Sequence, residues 1–112
     1  MVECVIYNMV VGEQHPSTIC VELSKLPDSL ISLLDLMTSS YMDEELMEFI
    51  ESYARKEEVM PDDRTVGFVV ANASKKAISI SMNKISPELH RRIEEISESF
   101  REKDFTVELD LT

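Results

Sequence analysis

The chain is short of glycine, cysteine, histidine and base, and each shortage removes a class of function. Its two glycines, Gly12 and Gly67, cannot build a phosphate cradle, which needs several backbone amides close to the anion. Neither a Walker nor a dinucleotide fingerprint is present, so nucleotide-dependent chemistry is not expected. Structural zinc needs about four Cys or His ligands. The whole supply is Cys4, Cys20, His15 and His90, placed on two strands, a loop and a helix without paired spacing, so no metal and no cofactor are expected. Bases number 11 against 22 acids, a formal charge of -11. Unspecific contact with nucleic acid or an anionic membrane needs Lys and Arg to displace counterions; neither is an expected partner, whereas a basic protein surface is.

Long apolar runs are also missing. No stretch approaches the roughly 18 apolar residues of a membrane span. Met1-Val2-Glu3-Cys4 lacks the basic n-region of a signal peptide, so a cytoplasmic location is expected. With no Pro/Ser-rich linker and no internal period, residues 1–112 read as a single compact domain.

Val2 to Val11 is rich in β-branched residues and apolar on both faces, which predicts an interior strand. Gly12 to Ser17 supplies a turn. Thr18 to Leu23 alternates Ile19, Val21 and Leu23 with Cys20 and Glu22, predicting a half-buried strand paired antiparallel to the first. A hairpin closing around residues 12–17 sets Val11 opposite Thr18 and leaves Cys4 and Cys20 five residues out of register. That is too far for a disulfide, so both thiols are expected free.

Leu26-Pro27-Asp28 is expected to end that strand, with Asp28 capping a short buried helix that carries Leu30, Ile31, Leu33, Leu34, Leu36 and Met37. A second helix is predicted from a near-capping box, Ser40 with Asp43, and buries Met42, Leu46, Phe49, Ile50 and Tyr53 along one stripe. Met60 to Asp63 reads as a turn. Thr65 to Ala73, apolar on both faces, and Ala77 to Met82, which alternates, form a second hairpin around Ser74-Lys75-Lys76. Ser86 as cap, Pro87 at the first position and Glu88 in the first turn open a third helix whose stripe is Leu89, Ile93, Ile96 and Phe100. Phe105 to Leu111 is a last strand with an acidic, wet outer face. The order β-β-α-α-β-β-α-β predicts an α+β two-layer sandwich, a mainly antiparallel sheet of about five strands with three helices.

The strands differ on the face away from the helices. Cys20, Glu22, Ser79, Ser81, Thr106, Glu108 and Asp110 make it polar on three of them, but the first and third strands are apolar on both sides. If those two lie side by side, Tyr7, Met9 and Val69 form an exposed apolar patch with a polar rim, the usual mark of a contact surface. Helices straddling the sheet would instead cover it.

Catalytic groups are scarce. Cys20 and His15 are the one thiol–base combination and have no evident oxyanion pocket beside them. His90, between arginines and acids, reads as a solvated helix residue. The carboxylates fall on solvent-facing helical positions rather than in the buried pairs that acid–base work requires. No catalytic residue is assigned and an enzyme is not expected.

The charge is unevenly spread. Residues 41–60 hold seven acids and two bases, while 61–85 hold two acids and four bases. In the third helix Arg91, Arg92 and Arg101 lie three or four residues from Glu94, Glu95 and Glu98 and can pair with them. In the second, Asp43, Glu44, Glu45, Glu48 and Glu51 run on with no base before Arg55. The expectation is a small acidic, non-enzymatic modulator that binds a larger basic, nucleic-acid-handling protein as an inhibitor or antagonist. Its contacts would be those five acids, a nucleic-acid mimic in charge, together with Tyr7 and Met9. Immunity proteins and phage-encoded antagonists share this size and charge, an analogy of type carried by no motif. The alternative is a homodimer, structural or assembly in role, packed through the open sheet face.

Overall fold

The computed structural model describes residues 2–10, 17–39, 42–55 and 60–112, without the side chains at 42, 43, 54 and 55. Strand β1 (Cys4–Val10) leads to β2 (Ser17–Glu22), a 3-10 turn at Leu23–Lys25, helices α1 (Leu26–Thr38) and α2 (Met42–Tyr53), and the two-residue strand β3 (Ala54–Arg55). A second run follows: β4 (Thr65–Asn72), β5 (Ala77–Met82), α3 (Pro87–Glu102) and β6 (Thr106–Leu111). The turn residues Gly12 to Pro16, the proposed cap Ser40 and the side chain of Asp43 lie outside what is described.

Most element boundaries follow from local chemistry. Ser86 caps α3 by accepting from the Leu89 amide at 3.1 Å, with Pro87 in the first turn where no amide partner is needed. One expectation is corrected. Leu26-Pro27 begins α1 instead of breaking the strand, because a proline in the first helical turn loses no hydrogen bond; Asp28 is a first-turn anion and Lys25 occupies the cap.

The sheet runs β3-β2-β1-β4-β5-β6. It is mixed rather than mainly antiparallel: β1 pairs with β2, β2 with β3 and β4 with β5 antiparallel, but β1–β4 and β5–β6 are parallel. A helix between two neighbouring strands carries the chain back to its starting end, so α3 forces β6 parallel to β5. The fold is otherwise the expected α+β arrangement, with α1, α2 and α3 packed on the sheet over one core cluster.

The larger correction concerns which side of the central strands those helices cover. Asn8, not Val11, stands opposite Thr18, and Tyr7 opposite Ile19. The hairpin thus closes three residues from the expected register, and an odd shift turns every β1 side chain to the other face. Val5, Tyr7 and Met9 join Ile19 and Val21 under the helices; with Gly67, Val69, Ala71, Ile78, Ile80 and Met82 they form the covered face. Tyr7, Met9 and Val69 are fully buried and cannot be a contact patch.

Polar groups within this core are matched. Ser29 donates to the Leu26 carbonyl at 2.9 Å, so its oxygen must accept from Tyr7, whose hydroxyl is the other partner. Burial pushes the Tyr7 phenol well above its ordinary value, a shift that the Ser29 bond only partly offsets. Ser97 donates to the Ile93 carbonyl at 2.8 Å. Among the described residues no buried side-chain nitrogen or oxygen lacks a partner.

Candidate functional site

Two surfaces remain after the core is accounted for. The first is the acidic side of α2. Leu46 and Phe49 turn inward, with Ile50 and Tyr53 half-buried beside them, as the helical stripe requires. Phe49 packs between Tyr7 and Tyr53 with its ring tilted to both, the centroids 6.1 and 5.2 Å away. Tyr53 and Ser32 hydrogen-bond at 3.0 Å and tie α2 to α1. Holding the inner stripe this way leaves Glu44, Glu48 and Glu51 exposed and Glu45 half-exposed. Glu45 and Glu48 meet Asp35 of α1 along an open groove of ≈ 300 Å³, floored by Leu36 and Phe49 and flanked by Ser32, Ser52 and Tyr53. That volume suits a side chain reaching in rather than a folded element.

The charges of α3 behave differently. Arg92 pairs with Glu95 at 3.2 Å and Arg101 with Glu98, while His90 Nε2 lies 3.5 Å from Glu94, an ion pair only when the imidazole is protonated. Among the described residues no cation pairs with Glu44, Glu45, Glu48 or Glu51. The expected contrast between the two helices is therefore present in the geometry. Asp43 belongs to the same helix. Asp35 was not anticipated: its acid sits alone in the sequence, and only the packing of α1 on α2 brings it to the groove.

The second surface is the sheet face that no helix covers. Cys4 and Ile6 of β1, Cys20 and Glu22 of β2, Phe68 and Val70 of β4, Ser79 and Ser81 of β5 and Glu108 and Asp110 of β6 occupy it by register. Phe68 is 42% and Val70 49% exposed, whereas Ile6, flanked by Cys20 and Phe68, is 5%. An open face with apolar residues at its centre and polar ones on the outer strands is thus present, but Phe68 and Val70 carry it in place of Tyr7, Met9 and Val69. The signal lay in Thr65 to Ala73: Gly67, Val69 and Ala71 are the small set that fits under helices. A Cβ on Gly67 would lie 2.3 Å from the Ser81 carbonyl and 2.5 Å from the Met82 sulfur.

Catalytic and metal-binding groupings are sparse in this geometry. Among the described residues no set of three or more His, Cys, Asp or Glu could hold a metal ion, and no helix is long and apolar enough to cross a membrane. The proposed base His15 lies outside the described residues. Cys4 and Cys20 are free, but the reason given for it fails: Cys20 stands opposite Ile6 and Cys4 opposite Glu22, so the two are diagonal neighbours two residues out of register, not five. Burial, then the Cys4 side chain, pushes the Cys20 thiol up to about 11, the opposite of an activated nucleophile.

Comparison with known proteins adds a family. No curated protein matches the chain. A solved NMR structure of TA0956 superposes with a TM-score of 0.76 at 39% sequence identity, covering 98% of this chain and 99% of that one, which bears out the α+β fold with its mixed sheet. The family model described as Thermoplasma acidophilum protein TA0956 matches residues 1–110, and the chain therefore belongs to that family.

Proposed function

We propose that this is a small non-enzymatic modulator that docks a basic surface of a larger, nucleic-acid-handling protein through α2 and the α1–α2 groove, as an inhibitor or antagonist. The observation that carries the reading is the row of carboxylates on α2 without cationic partners among the described residues, in contrast to α3, where Glu95 and Glu98 are paired with arginines. Unpaired acids keep their full field, steer a basic partner in from solution and lose little solvation on meeting it. Asp35, Glu45 and Glu48 around the groove would receive a Lys or Arg side chain, with Phe49 beneath its aliphatic stem. Glu44, Glu48 and Glu51 would form the outer row, in the way a run of phosphates presents charge.

The test is a charge-reversal comparison. A basic partner captured at low salt should be released steeply as salt rises. It should also be lost by the Glu44→Lys, Glu48→Lys, Glu51→Lys variant and kept by Glu94→Lys with Glu95→Lys on α3. Binding that is indifferent to salt, or equally sensitive to both variants, overturns the role of α2.

The exposure of Phe68 and Val70 favours a second reading, a homodimer joined through the open sheet face. Sedimentation equilibrium decides it: dimers that Phe68→Glu converts to folded monomers support this reading, and a monomer at high concentration removes it.

A further inference from the structure

The open face holds one grouping that neither reading uses. Cys4 and Cys20 come from adjacent antiparallel strands, point to the same side and stand diagonally, and both are free thiols. Cys4 is almost wholly buried and Cys20 half-exposed, so the pair is reached from the Cys20 side. The Cys4 side chain lies close enough to act on Cys20. The Arg64 guanidinium lies close enough for its charge to act on Cys20, and both sulfurs act on it in turn. Arg64 is held there by two bonds to Asp62, at 2.7 and 3.0 Å, and by its carbonyl, which accepts from the Cys4 amide at 2.9 Å.

Diagonal positions on paired strands are about 7–8 Å apart at the backbone. A disulfide closes without backbone movement only below about 7 Å. At that spacing a direct S–S bond would require the strands to move, whereas a single ion held between the two sulfurs would not. Zinc is a poor fit, since it takes about four donors, and no third Cys, His, Asp or Glu joins the pair among the described residues. Soft thiolate donors select Cu(I).

We propose that Cys4 and Cys20 form a two-coordinate site for Cu(I), with Arg64 balancing the charge of the complex. Binding releases one proton from each thiol to solvent, forms two Cu–S bonds and leaves a bis-thiolate of net charge minus one; no electron is transferred. The burial of Cys4 would shield the ion on one side, and Cys20 would be the entry ligand.

The experiment is an anaerobic titration of the reduced full chain with Cu(I) held by a chromogenic competing chelator, followed by X-ray absorption at the copper edge. One copper withdrawn per chain, with a first shell of two sulfurs, is the expected result. Cys20→Ser, at a half-exposed position, should remove it while circular dichroism and the melting curve stay unchanged. Arg64→Gln should keep the stoichiometry and weaken affinity by about 10-fold, as loss of a supporting group around a metal does. The proposal is overturned if the chelator keeps its copper, if Cys20→Ser binds as well as the parent chain, or if native mass spectrometry finds the copper only between two chains. Closure of a Cys4–Cys20 disulfide by oxidised glutathione, without loss of structure, would also overturn it by showing that the spacing is shorter than argued.

Discussion

The two faces of the central strands are made of the same kinds of residue, alternate along the same few positions, and end in opposite conditions. Tyr7, Met9 and Val69 are sealed beneath three helices; Ile6, Phe68 and Val70, one position away, meet solvent or one another. Composition does not separate them, because both sets are apolar. What separates them is size at the closest approach. Gly67 lets the Met82 side chain lie against the strand, and the face that holds it is the one that accepts a second layer.

The strongest way to break this contrast is a charge on the covered face. Met9→Glu would put a carboxylate among apolar groups with no partner, at a cost of about 4 kcal/mol or more, and should leave the chain unfolded by circular dichroism. A dimer-splitting effect with the fold intact would instead mean that β1 is turned the other way. Next comes Gly67→Ala. The added methyl meets backbone at Ser81 and Met82, and overpacking of this kind costs about 1–3 kcal/mol, measurable by urea denaturation.

Tyr7→Phe should cost about 1 kcal/mol, since Ser29 loses its donor but keeps its own bond to Leu26. The same variant tests the pH dependence. The folded chain holds the Tyr7 proton more tightly than the unfolded chain does, so that contribution to stability should decline above about pH 10, where a free tyrosine ionises, and the decline should shrink in Tyr7→Phe. The smallest effect belongs to the open face. Phe68→Thr and Val70→Thr should change monomer stability by no more than about 0.5 kcal/mol; a large loss would show that this face is covered.

Much of the architecture was legible along the chain. The cap at Ser86, the stripe of α3, the alternation in β5 and β6 and the pairing of charges within α3 are all local, set by residues within a few positions of one another. The acidic row of α2 was legible for the same reason. Less accessible were the partners of each strand. Whether the first hairpin closes at Asn8 or Val11 opposite Thr18 costs little locally, yet it decides the face of every residue from Cys4 to Val10. From that one odd shift came both the misplaced patch at Tyr7 and Met9 and the misjudged separation of Cys4 from Cys20. Asp35 reaches the groove and Arg64 the two thiols through contacts between elements that no nearby spacing encodes.

By itself the sequence determined the elements other than the two-residue β3, the α+β class and where the negative charge lies, because helix stripes, caps and alternation are short-range properties of the chain. The tertiary structure decided the mixed sheet, the side of β1 and β4 that faces the helices, and the meeting of Cys4 with Cys20. Those depend on which of several nearly equivalent strand pairings buries the most surface with the best fit, a choice made by the whole core at once.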